Sequence, residues 1–315
     1  MSFKDDLLKD YENMLALRKT LGYTGNRHPQ AVVRFIMFCI ENYPEHSSIT
    51  KQMLDEWLQT HSFKTRATHN FAISGIRGFT KYLASLGKEA FIPGSEYSVR
   101  VERYAPYIFT DDELKKLFGA FDSVLPNHQM PNREYIIPVL FRMMYCCGMR
   151  PSEPTKLLCE DVDLDTGEVY IRQAKGRSDR RIVMSDDLLA LCRKYSRSVY
   201  RAKYFFERKD GGIFCADWVT NQFQFCWRDS GLVKRGNPRP YDLRHNFATR
   251  TMLRWLNEGK DLNAMAAYLS AYMGHTEFSA TLYYINLLPE MLKSSTGIDW
   301  ARFSRIYPEV SHEND

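Results

Sequence analysis

Almost every apolar run in this 315-residue chain repeats at helical spacing, and only two short runs repeat at strand spacing. That contrast restricts the fold to a mainly helical architecture with one small antiparallel sheet. The strand-like runs are residues 168–173 (EVYIRQ) and 181–184 (RIVM), joined by the polar turn AKGRSDR. Ahead of them, residues 31–43 place Val32, Val33, Phe35, Ile36 and Ile40 in a helical pattern. Thr50 is positioned to cap a short helix containing Met53, Leu54, Trp57 and Leu58. From Thr68 to Leu86 the pattern continues through Phe71, Ile73, Ile76, Phe79, Leu83 and Leu86, and Gly87 supplies a C-terminal stop.

The chain is too long for one ordinary core, so two domains are expected. The polar stretch FIPGSEYSVRVERYAP breaks the periodicity and reads as the connection. The expected division is a helical domain over 1–92, a linker over 93–107, a second domain over 108–308 and a polar tail over 309–315. The second domain opens on a capping box, Thr110 to Glu113, in which hydroxyl and carboxylate satisfy free N–H groups of the first turn. A long apolar helix over 134–147 follows and stops at Gly148.

Composition removes several classes. No apolar stretch reaches the 18 or so residues that a membrane span requires. The N-terminus, MSFKDDLLKDYENML, lacks the apolar core of a signal peptide, which points to the cytoplasm of a prokaryotic-type cell. The seven cysteines include no C-x-x-C pair, so neither a disulfide framework nor a zinc ribbon fits, and buried reduced thiols are expected. The net charge is only +5, yet residues 172–254 hold 19 Lys and Arg against 8 Asp and Glu. Such a concentration is either a nucleic-acid surface or a solvated basic face.

Four local sequences carry residues suited to chemistry. They are CCGMRPSEPTKL with Arg150 just past a helix stop, AKGRSDRR with Lys175 at a hairpin tip, RPYDLRHNFAT with Arg244 soon after Pro240, and MGHTEFSATLYYIN with His275 nine residues before Tyr284. Singly, each is ordinary: a surface Arg, a solvated Lys, a basic helix turn, a core Tyr. In this order they resemble the tyrosine recombinase, or phage integrase, family. That family carries an Arg followed by S-E, a hairpin Lys, an H-x-x-R-H helix start, an L-G-H turn and a Tyr nine residues beyond it. The resemblance covers roughly residues 107–290, and the N-terminal helices are compatible with the family's core-binding domain.

The resemblance implies a two-domain clamp around duplex DNA and a transesterification. Tyr284 would attack a phosphodiester, forming a 3′-phosphotyrosyl link and releasing a 5′-hydroxyl, which divides one exchange into two matched steps. The bond energy stays in the protein–DNA link, so no cofactor and no metal is implied. Arg150 and Arg244 would stabilise the extra negative charge of the transition state through paired hydrogen bonds. Arg244 is expected near a helix N-terminus that also favours anions. Lys175 occupies the general-acid position and His275 the position that hydrogen-bonds to phosphate. Glu153 would orient site residues or cap a helix. Arg177, Arg180, Arg181 and Arg239 are candidate DNA contacts, the first three being phosphate contacts or solvated charges. The implied assembly is a dimer per site and a tetramer in synapsis, with accessory or partner recombinases possible. Residues 287–308, which include Trp300, Phe303 and Ile306, would dock on an adjacent protomer or pack on their own domain.

One position departs from the family pattern: Tyr241 stands where His is usual. An imidazole accepts a proton near neutrality, whereas a phenol mainly donates a hydrogen bond. Tyr241 is still placed to contact phosphate, but its role as a base is in doubt. His245, offset about 100° from Arg244, is expected to be a poor substitute. Tyr283 competes with Tyr284, and the nine-residue interval selects Tyr284. Two other activities share the constellation: a type IB topoisomerase, and a weakened DNA-binding descendant of a recombinase.

Overall fold

The computed structural model describes residues 3–22, 29–101, 104–172, 179–233 and 236–285. The chain divides into two compact units, Met1–Tyr104 and Ala105–Asp315. It is mainly helical, with a two-stranded antiparallel sheet among the described residues. No helix among them is long and apolar enough to cross a membrane.

The first unit contains α1 (Phe3–Thr20), α2 (Pro29–Asn42), α3 (Lys51–Thr60) and α4 (Arg66–Ser85). Thr50 and Thr65 cap α3 and α4 by accepting from the backbone N–H three residues on. Phe35, Ile36, Trp57, Ile73, Ile76 and Phe79 form its core. Two apolar positions of the α4 pattern, Phe71 and Leu86, are exposed instead. Part of the expected linker is fixed to this unit. Arg77 donates to the Pro93 and Gly94 carbonyls, Tyr97 donates to Asp55, and Asn70 pairs with the Val99 backbone.

The second unit begins with α5 (Asp111–Asp122), whose Thr110–Glu113 capping box forms as the sequence suggests. Helix α6 (Arg133–Cys146) is buried on most of its surface, and Phe141 stacks on Phe121 at 4.4 Å between ring centroids. Strands β1 (Glu168–Ile171) and β2 (Arg180–Val183) pair with Val169 opposite Ile182 and Ile171 opposite Arg180. β1 is shorter than expected, and β2 has the expected length but starts and ends one residue earlier. The period of two turns Arg180 and Ile182 inward and Arg181 and Val183 outward. Helices α7 (Asp186–Ser198), α8 (Ala216–Asp229), α9 (Pro240–Asn257) and α10 (Leu262–Met273) follow, and residues 279–285 are again helical.

Helix α9 joins two cores. Leu243 belongs to the large core built on α5–α8, whereas Ala248, Met252 and Leu256 pack with α10 and Tyr284. Fully buried Asn246 ties the unit's entry segment to α9: it donates to the Tyr107 carbonyl and accepts from the Phe109 N–H. All seven cysteines are free, but Cys146 and Cys215 are exposed rather than buried.

Candidate active site

Two helix stops form the floor of the site. Helices α6 and α10 run into Gly148 (φ +61°) and Gly274 (φ +63°), left-handed positions that suit glycine. The carbonyls at these stops lack helical partners and lie at the negative end of a helix dipole. Guanidinium groups satisfy them. Arg244 donates to the Gly148 oxygen at 2.5 Å and the Met273 oxygen at 2.7 Å, and Arg150 donates to the Gly274 oxygen at 2.6 Å. A Cβ on Gly148 would stand 2.5 Å from the Phe247 ring, and one on Gly274 3.1 Å from the Arg180 side chain.

Glu153 locks the arginines together. Its Oε1 accepts from Arg150 Nη1 and Arg180 Nη1, and its Oε2 accepts from the Arg150 backbone N–H and Arg180 Nη2, all within 2.7–2.9 Å. The carboxylate therefore holds Arg150, and it makes no capping bond to the helical turn at Pro154–Lys156. Burial alone would raise the Glu153 pKa; the hydrogen bonds and charge of Arg180, then the Arg150 contacts, outweigh it and hold the carboxyl below its usual range. Arg244 is 0% exposed, and burial followed by the Arg150 charge lowers its pKa. Among the described residues, Arg150 and Arg180 share the Glu153 carboxylate while Arg244 donates to main-chain carbonyls, so three guanidiniums meet one carboxylate and positive charge is in excess.

Tyr284 faces this cluster from residues 279–285. It is 2% exposed, its ring packed in the α9–α10 core. Burial pushes its hydroxyl pKa up, and the Arg244 charge opposes that shift without cancelling it. The His275 ring stacks at 6.0 Å from the Tyr284 ring. His275 Nδ1 lies 2.6 Å from the hydroxyl of fully buried Thr281, which leaves Nε2 as the other polar atom of the ring. Burial, then Arg244, Arg150 and Arg180, bring His275 down to about 3, so its imidazole is neutral. Tyr283 is half-buried against the same core, its ring 6.2 Å from that of Tyr284.

Several expectations need correction. His245 is not poorly placed: its Nδ1 is 3.2 Å from the Tyr284 hydroxyl. The Tyr241 ring lies against it, tilted by 55°, with ring centroids 4.9 Å apart. The comparison that matters is with Tyr241, one helical turn earlier on the same face, and not with Arg244. Burial, then the charges of Arg244 and Arg239, bring His245 down to about 4. Arg180 is neither solvated nor a surface phosphate contact; it is 8% exposed and salt-bridged to Glu153. Arg244 does lie near the N-terminus of α9, four residues after Pro240, but its guanidinium is turned elsewhere. Asp242 caps that end by accepting from the Arg239 N–H at 2.8 Å, and Arg244, a turn further on, reaches the two glycine stops instead.

Two further candidates fall outside this cluster. Arg181 is exposed beside Glu168, and the Arg239 side chain is partly exposed at the start of α9. Lys175, Arg177 and residues 287–308 lie outside the described residues.

Comparisons with known proteins identify the family. The model of the phage integrase family matches residues 108–291, more than half of the chain. The chain is 28% identical over 295 residues to tyrosine recombinase XerA of Thermococcus kodakarensis, covering 94% of this chain and 95% of that protein. It is 27% identical over 248 residues to tyrosine recombinase XerC of Bacillus subtilis, covering 73% and 74%. The fold resembles that of the Tn1549 transposon integrase solved in complex with transposon right-end DNA, with TM-score 0.61, 13% identity and coverage of 97% and 98%. With Tyr284 set against two anchored arginines inside the matched region, the chain belongs to the phage integrase family, that of the tyrosine recombinases.

Proposed function

We propose that this protein is a site-specific DNA recombinase that cuts and rejoins strands through a covalent bond to Tyr284. The observation that carries the reading is the placement of the Tyr284 hydroxyl beside a buried arginine cluster with surplus positive charge. A phosphodiester is the anion such a site would take. Arg150 and Arg244 each spend part of the guanidinium on main-chain carbonyls and keep further N–H donors for non-bridging oxygens. His275, fixed through Nδ1, offers Nε2 to the same phosphate. Lys175 is assigned the protonation of the leaving 5′-oxygen. In this scheme the guanidiniums balance the developing charge, and the reaction proceeds without a metal or cofactor.

The partner is duplex DNA. The excess of cations over 172–254 and the DNA complex of the Tn1549 integrase support this. The working assembly is a dimer on each site and a tetramer in synapsis, in the cytoplasm. Domain limits of 1–92 and 108–308 are retained with this proposal.

The test is a nicked duplex in which cleavage releases a short strand and traps the intermediate. Nicked duplexes tiled over the DNA flanking the gene are incubated with wild type and with Tyr284→Phe, then run on a denaturing gel. A covalent protein–DNA band from wild type that is absent from the variant is the expected result. A band from both would move the nucleophile, with Tyr283 the next to test.

A further inference from the structure

We propose that His245 is the group that takes the proton from Tyr284 during cleavage, an inference that rests on the recombinase reading above. The family pattern H-x-x-R-H carries an imidazole at both 241 and 245; this chain lacks the first and keeps the second, a single helical turn along α9. Residues 241 and 245 share a helix face, and the Tyr241 ring lies against the His245 ring. His245 Nδ1 is 3.2 Å from the Tyr284 oxygen, within reach of the proton that must leave. The other imidazole near Tyr284 is committed elsewhere, since His275 Nδ1 sits 2.6 Å from Thr281 Oγ1.

The charges around His245 suit the role. Burial first, then the charges of Arg244 and the N-cap residue Arg239, keep it neutral in the resting site, so its lone pair is open to the tyrosine hydroxyl. A bound phosphodiester offsets that positive charge and raises the basicity of the imidazole as the phenolate forms. Tyr284 faces it from residues 279–285, and the His275 ring lies against that of Tyr284. The step balances. The Tyr284 oxygen bonds to phosphorus, the phosphorus–O5′ bond breaks, and the tyrosine proton moves to His245 Nδ1. The leaving 5′-oxygen takes its proton from the acid proposed above. In rejoining, the 5′-hydroxyl gives its proton back to the same acid as its oxygen bonds to phosphorus, the phosphorus–tyrosine bond breaks, and the imidazolium returns its proton to the tyrosine oxygen.

The experiment measures single-turnover adduct formation on the nicked duplexes with full-length wild type, His245→Gln, His245→Gly, and His245→Gln combined with Tyr241→His. DNA binding and melting temperature are measured beside each rate. A fall of about 100-fold or more in cleavage by His245→Gln at unchanged DNA affinity is expected, the usual scale for loss of a general base. Recovery of at least tenfold is expected on adding free imidazole to His245→Gly, and on restoring an imidazole at 241 in the double variant. A purely structural role for His245 would not give imidazole rescue. Cleavage by His245→Gln within twofold of wild type, or loss without rescue by either route, overturns the proposal and leaves the recombinase reading intact. Absence of any adduct from wild type overturns both.

Discussion

Replacing Glu153 by Gln is the sharpest test of how the site is held. Each carboxylate oxygen accepts two hydrogen bonds, Oε1 from two guanidinium nitrogens and Oε2 from one guanidinium and one main-chain N–H. An amide converts one oxygen to NH2. Whichever way it is turned, two donors then face a donor, so no flip of the amide restores the set. Arg150 and Arg180 also lose the carboxylate they share. With the Arg180 and Glu153 side chains 6% and 7% exposed, solvent does little to compensate. Breaking a buried pair from one side costs about 3–5 kcal/mol, against total stabilities on the order of 5–15 kcal/mol. Urea unfolding of wild type and Glu153→Gln at pH 7 measures the difference. The sign of the pH dependence is fixed as well. Since the folded carboxyl is held below its usual range, its contribution is present above the ordinary carboxylate pKa of about 4.3 and is lost as pH falls through the folded value. The gap between the two proteins should therefore narrow in acid. A loss below about 1 kcal/mol, or a gap that stays constant down to pH 3, would refute the argument.

Other consequences can be measured with the same preparations. Gly148→Ala forces a side chain into a left-handed position and against the Phe247 ring, and should cost about 2–4 kcal/mol in urea unfolding. His245 and His275 are both brought well below the ordinary histidine pKa of about 6.5, so each favours the folded state above that value and loses its contribution as pH falls toward 4 and 3. Each should add a slope of at most about 1.4 kcal/mol per pH unit in that window, and the corresponding Gln variants should flatten the stability curve. DNA affinity should fall linearly in log–log form with salt, and Arg181→Ala should reduce that slope by about one, whereas an unchanged slope would remove exposed Arg181 from the interface.

Much of this was legible in the sequence because it is local. The Thr50 and Thr110 caps, the glycine stops and the hairpin depend on neighbours a few residues apart. The site residues are legible through ordered motifs. What the motifs miss depends on side-chain direction over longer spans. Arg180 meets Glu153 from 27 residues away, and its inward orientation follows from sharing parity with Ile182 on β2. That parity was available in the sequence, hidden by starting the strand at 181. His245 was missed for a similar reason: the four-residue step from Tyr241 was the informative interval, and the one-residue step from Arg244 was not. The carbonyls that receive Arg244 come from helix ends 96 and 29 residues away, and no local pattern announces them.

The burial of Tyr284 also sets the order in which such a protein would decay. Arg150, Arg244 and Glu153 hold helix ends together, so a lineage that abandoned strand exchange would still be selected to keep them for folding. Tyr284 differs. Its ring fills the space between α9 and α10, which a phenylalanine would fill equally, and under the proposed function only its oxygen is reserved for chemistry. Disuse would therefore first erase a single atom and then the imidazole that faces it. In a gene of this kind the arginines record descent, and the phenolic oxygen is what marks a working enzyme.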